Sequence, residues 1–201
     1  MSPIISTLAG ASTRGYGGLR AFAAASADYE LIEKRVLSSN SSLVTFSDIP
    51  QTYKTLQFFA DLRNTASAAS IVNTSVYFNG DTTGSNYQRH FLQNAYTAGL
   101  TSGGAASGTF NYMYAAGQSY PSNTATNHIN IYDYTSTSKN KMITNVSMFL
   151  NNGVGTGPTQ GFGGIYNGVW RNTAAVTSVS FEPNDSQIES GSTFWLYGIK
   201  G

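Results

Sequence analysis

The sequence predicts an all-β fold, a jelly-roll sandwich of two antiparallel sheets preceded by an extended N-terminal arm. Three observations lead there. From Tyr29 onward the 201-residue chain runs in short stretches rich in β-branched and aromatic residues. Clusters of Gly, Asn, Ser and Pro separate them every 8 to 15 residues, the spacing of turns in a sandwich or barrel. Within the stretches apolar and polar residues alternate with the two-residue period of a half-buried strand.

Taken in order, the strands are expected at 29–37 (YELIEKRVL), 42–47 (SLVTFS), 53–63 (YKTLQFFADLR) and 70–79 (SIVNTSVYFN), then at 108–116, 127–134, 141–151, 164–172, 175–183 and 192–200. Leu56, Phe58, Ala60 and Leu62 share one face of the third stretch and Gln57, Asp61 and Arg63 the other. Phe59 breaks the alternation, so part of that strand is expected to be covered on both faces. Val72, Thr74, Val76 and Phe78 repeat the pattern. The core is expected to hold Phe58, Leu62, Val76, Phe78, Ile129, Ile131, Val179, Phe181, Phe194 and Leu196. One short helix is expected at 85–95 (SNYQRHFLQNA), with Ser85 as its cap and Tyr87, Phe91 and Leu92 as its apolar stripe. Residues 95–108 and 151–164 read as long loops.

Residues 1–27 have another texture. They are dominated by Gly, Ala and Ser, with isolated large side chains at Ile4, Ile5, Leu8, Tyr16, Leu19 and Phe22 and two cations, Arg14 and Arg20. Such a segment cannot build a core by itself. The domain division is therefore a docking arm, 1–27, and a β domain, 28–201. In the arm the spaced apolar residues are expected to occupy separate pockets of a partner, with Arg14 and Arg20 either pairing with acidic groups there or remaining solvated. The segment is not expected to act as a secretory signal, because charges and glycines interrupt the apolar run such a signal needs. No stretch reaches the ~18 apolar residues of a membrane span, so no membrane insertion is expected.

Only 10% of residues are charged, the net charge is +1, and aromatics reach 13%. A nucleic-acid backbone has no basic footprint to meet. Cysteine is absent, which removes thiolate nucleophiles and Cys-based zinc sites. The two histidines, His90 and His128, lack metal-ligand spacing, and no nucleophile-elbow motif accompanies a serine. The glycine runs at 15–18 and 153–158 lack the Lys-Ser/Thr pair of a phosphate loop. Glu182, Asp185 and Glu189 cluster on a turn without a facing acid. No enzyme activity, cofactor or metal is expected.

The densest polar stretch is FNGDTTGSNYQ, 78–88. Asp81 with Asn79, Thr82 and Asn86 could ligate calcium, although a single carboxylate binds it weakly. Asn79, Gly80 and Asp81 after a strand more simply make a structural turn.

The segments VTFSDIPQTYKTLQ (44–57), VYFNGDTTGSNYQRHFL (76–92), INIYDYTSTSKNKM (129–142), GVWRNTAAVTSVSF (168–181) and IESGSTFWLYGIKG (188–201) together resemble a β-jelly-roll module of structural proteins in tailed bacteriophages, marine and cyanobacterial ones especially. The resemblance spans about 155 residues of the 201. It implies a virion protein on the particle surface, most simply a capsid decoration or cement protein whose arm docks on the major capsid protein. The alternative is a tail or tail-fibre module that attaches to a tail protein or binds host-surface glycan. The resemblance and the low charge together suggest a homotrimer.

Overall fold

A computed structural model describes residues 28–66, 71–95, 99–108, 110–117, 123–150, 161–184 and 186–201. The arm residues Ile4, Ile5, Leu8, Arg14, Tyr16, Leu19, Arg20 and Phe22 lie outside them. The chain folds as an all-β, jelly-roll-like sandwich of two antiparallel sheets. Its strands are β1 (Tyr29–Val36), β2 (Val44–Phe46), β3 (Thr55–Leu62), β4 (Ile71–Phe78), β5 (Tyr87–Ala95), β6 (Gly99–Ala105), β7 (Phe110–Ala116), β8 (Ala125–Tyr132), β9 (Lys141–Leu150), β10 (Gly161–Trp170), β11 (Val179–Pro183) and β12 (Thr193–Ile199). The large sheet has the order β1-β12-β3-β8-β9-β10-β5-β6 and the small one β2-β11-β4-β7.

The core lies between the sheets, filled by the inward half of each alternating strand. The ten residues expected there are each at most 1% exposed. Phe46, Phe58, Phe181 and Phe194 meet largely edge to face, with centroids 5.1–6.0 Å apart, the arrangement that ring quadrupoles favour.

Two expectations fail. Residues 85–95 do not form a helix: Gly84–Asn86 make one 3-10 turn without a side-chain cap, and Tyr87–Ala95 form β5, held in continuous register between β10 and β6. The stripe of Tyr87, Phe91 and Leu92 is split, with Tyr87 and Phe91 packed on the core and Leu92 facing out. Ladders on both sides of the segment outweigh a marginal local helix signal. The stretches 95–108 and 151–164 are not all loop either, since Gly99–Ala105 form β6 and β10 begins at Gly161.

Phe59 is the outward residue its position implies. It stacks on His128 across the neighbouring strand, centroids 4.5 Å apart.

Candidate association surface

The turn and the outer face of the large sheet are the two features from which a role can be argued. Phe78 closes β4, and Asn79 and Gly80 follow at φ 52° and 69°, the double positive φ of a type I′ turn that Asn-Gly favours. The Asp81 amide donates to the Phe78 carbonyl at 2.9 Å. Here the turn does not close a hairpin; it carries the chain from the small sheet to the large one. Asn79 Oδ1 accepts from the amides of Thr177 and Ser178 at 2.8 and 3.1 Å, and its Nδ2 donates to the Ala175 carbonyl at 2.8 Å. The approach to β11 is fastened in this way.

Asp81 fastens the other side. Its Oδ2 accepts from the Trp170 indole Nε1 and from Asn86 Nδ2, both at 2.8 Å, and its Oδ1 accepts from the Thr83 amide at 3.0 Å. The Tyr87 hydroxyl donates to the Asp81 carbonyl and accepts from the Phe78 amide. Partial burial pushes the Asp81 carboxyl up, but the bonds from Trp170, Asn86 and Thr83 outweigh it and hold the group below the ordinary aspartate range. Both oxygens point at N–H donors, an arrangement that suits a tie between strands and opposes a cation. Among the described residues no three His, Asp or Glu side chains gather as a metal site.

The large sheet turns one face to the core and the other outward. Strand β9 displays an inversion: Asn145 and Ser147 are buried, whereas Met142, Val146 and Met148 are 47–52% exposed. Ser147 is tied inward through a polar cluster. Ser147 Oγ donates to Asn127 Oδ1 at 2.7 Å, and the Asn127 amide pairs with both the carbonyl and the N–H of Tyr114. The outward apolar groups continue across the sheet. Register places Trp195, Phe59, His128, Val146, Ile165 and Leu92 in one cross-strand line. Tyr29 and Tyr197 stack beside it at 4.5 Å, and Leu31, Tyr132 and Met148 are exposed around it. Formal charge on this side is sparse, with Lys34 over the Trp195 ring and Asp61 held by Thr126. Gln88, His90, Met142, Asn167, Gly168 and Val169 line a shallow hollow of about 130 Å³.

Ring orientation bears on what this face can bind. Phe59 and His128 stand on adjacent strands with planes 14° apart and centroids 4.5 Å apart, close to the ~4.8 Å inter-strand step. They therefore stack along the sheet and turn their edges outward. Sugar stacking needs ring faces; an apolar protein surface accepts edges, thioethers and branched aliphatics alike. Burial lowers the His128 pKa, which keeps the imidazole neutral in this setting.

No family model matches the chain, and no curated protein matches it. Among solved structures it is similar to the carbohydrate recognition domain of Emp47p, at 9% identity and a TM-score of 0.29, covering 88% of this chain and 90% of that one. It is also similar to the protein of unknown function SO2946 from Shewanella oneidensis MR-1, at 9% identity and a TM-score of 0.19 over 87% and 77% of the two chains. A third is SCP-B, a peptidase of the Eqolisin family, at 9% identity and a TM-score of 0.17 over 81% and 64%. Likenesses this slight assign no ligand or activity.

Asn79, Gly80 and Asp81 stand at the turn that the sequence predicts, whereas the outer face is not among the features it predicts. Its signal was present in KMITNVSMFL, where apolar residues occupy both alternating sets and only the polar set at Asn145 and Ser147 could have marked the inward side.

Proposed function

We propose that this chain is a non-enzymatic structural protein of a tailed-phage virion. It sits on the particle surface as a capsid decoration protein, by way of the outer face of its large sheet and its N-terminal segment. The observation that supports an assembly role is the outer face itself, nearly free of formal charge and carrying Leu92, Val146, Met148 and Ile165 about half exposed. Eight strands at ~4.8 Å spacing and ~3.3 Å per residue present a face on the order of 800 Å², what one partner contributes to a standard protein interface. The apolar line is flanked by an uncharged polar one, Gln57, Asn130, Thr144 and Asn167, so the face is mixed but almost chargeless, and depletion of charge is what marks the core of an interface against an ordinary solvated surface.

The virion address comes from the resemblance of the five sequence segments. In this reading Ile4, Ile5, Leu8, Tyr16, Leu19 and Phe22 supply apolar anchors, Arg14 and Arg20 meet acidic groups, and the subunits associate as a homotrimer.

The test is to add the full-length protein to particles lacking it. Saturable high-copy binding that persists on tailless heads is expected. Binding at low copy that disappears with the tail replaces decoration by the tail or fibre role, and absence of binding to either overturns the virion reading.

A further inference from the structure

Four strands form the edges of the two sheets, and three of those edges are blunted. β2 has only three residues. β7 is capped by side chains: Asn127 pairs with the N–H and carbonyl of Tyr114, and Asn64 donates from its amide and its side chain to the carbonyls of Ala116 and Ala115. β1 is broken by a bulge between Leu31 and Glu33 and carries Glu30, Glu33, Lys34 and Arg35. These are the devices by which proteins stop an edge from recruiting another strand.

The fourth edge, β6, has none of them. GLTSGGA contains no charge and no proline, pairs with β5 without a register shift, and is exposed along most of its length, with Leu100 71% exposed. No described strand lies on its far side. Alternate N–H and carbonyl groups of seven residues therefore stand as a template for an extended chain.

We infer that the β6 edge takes an extended stretch from residues 3–9 (PIISTLA) of a neighbouring copy of this chain as an added antiparallel or parallel strand. This rests on the reading of the chain as an assembly module, and within it gives Ile4, Ile5 and Leu8 to a neighbouring copy, leaving Tyr16, Leu19 and Phe22 as anchors on the particle. Three facts select that occupant. The stretch is uncharged like β6, has β-forming residues at Ile4, Ile5 and Thr7, and matches its seven-residue length. Its chain enters the described fold at Asp28, beside β1, at the opposite edge of the same sheet. Copies placed edge toward edge bring the entry point of one beside the β6 of the next. Reaching its own β6 would take the segment about 34 Å across seven inter-strand steps, over the apolar face that the proposed function leaves to the particle. A head-to-tail exchange closes into a ring where its rotation closes, at a third of a turn per copy for a trimer.

The absence of cysteine makes a direct test possible in the full chain. Ser102→Cys is placed on one preparation and, singly, Ile4→Cys, Ile5→Cys, Ser6→Cys, Thr7→Cys or Leu8→Cys on another. Ser102 is exposed, whereas an added Cβ at Gly103 or Gly104 would strike the Phe91 or His90 ring. Because a disulfide needs Cα atoms within about 7 Å, mixed oxidation should give a covalent dimer at alternate arm positions and little between them. Melting curves check that each variant is folded. No covalent dimer, or equal yields at all five positions, would overturn the inference. Particle binding by the unsubstituted protein is scored separately, so failure of the exchange is distinguishable from failure of the virion reading.

Discussion

Replacing Asp81 isolates the clasp between the sheets, and its geometry sets the cost. Asp81→Ala removes both carboxylate oxygens. The Trp170 side chain is only 1% exposed, so its Nε1–H loses an acceptor in a site water does not reach, at a cost of about 1–3 kcal/mol. Asn86 and the Thr83 amide lie nearer solvent and recover part of their loss from water, adding about 1 kcal/mol together. The total of about 2–4 kcal/mol corresponds, at about 2–4 °C per kcal/mol for a chain of this size, to a fall in Tm of roughly 4–16 °C. Asp81→Asn keeps one acceptor. Facing Trp170 it forfeits Thr83, and facing Thr83 it sets an amide N–H against two donors, so the first orientation is expected at about 0.5–2 kcal/mol. Thermal unfolding followed by tryptophan fluorescence reads both. Asp81→Ala melting within 1 °C of the parent would refute the clasp. So would a calcium-dependent rise in Tm that vanishes in either variant, since it would make Asp81 a ligand.

The Asp81 carboxyl titrates below its unfolded value, so its contribution is complete above about pH 4 and is lost as pH falls through the lower folded value; Asp81→Asn should flatten that part of an acid-unfolding curve. His128, lowered by burial, acts with the same sign for the opposite chemistry: below about pH 6.5 the unfolded chain takes up the proton first, so stability falls with acidification, and His128→Phe should reduce the slope between pH 5 and 7. Lys141 is fully buried, its Nζ donating to the carbonyls of Ser136, Lys139 and Thr173 at 2.7, 2.7 and 3.1 Å. Lys141→Met leaves those carbonyls without the ammonium and should cost about 2–4 kcal/mol by denaturant titration; a loss under 1 kcal/mol would show that water replaces it. At Gly168 an added Cβ would lie 2.4 Å from the Phe110 ring and 2.9 Å from Ile143, so Gly168→Ala should destabilise by about 1–3 kcal/mol in the same titration.

The strands were legible where one set of alternating residues is plainly apolar and the other polar, as in Leu56–Leu62 of β3 and Val179–Phe181 of β11. They were not legible where that contrast vanishes. Tyr87, Phe91 and Leu92 satisfy helical and extended spacing alike, and only the ladders to β10 and β6, formed by residues distant in sequence, decide between them. In β6 Gly103 and Gly104 lie under the rings of Phe91 and His90, so the strand carries almost no hydrophobic signal of its own. The Asn79-Gly80 turn was readable because its requirement is local, a positive φ at two successive residues. That Asp81 binds Trp170, 89 positions away, was not. The outer face escaped for a related reason: Val146 and Met148 look like core residues until Asn145 and Ser147 are seen to occupy the inward side.

If the outer face of the large sheet is an association surface, charge placed at its centre must weaken binding. Val146→Asp and Ile165→Asp, directly paired on β9 and β10 and each about half exposed, place two carboxylates at its centre without entering the core. The full-length double variant and the parent are compared for binding to particles lacking the protein, with melting curves run in parallel. Binding is expected to fall at least tenfold while the fold is kept, the facing carboxylates lowering Tm by a few degrees; a folded double variant that binds like the parent would show that the outer face is not the surface used.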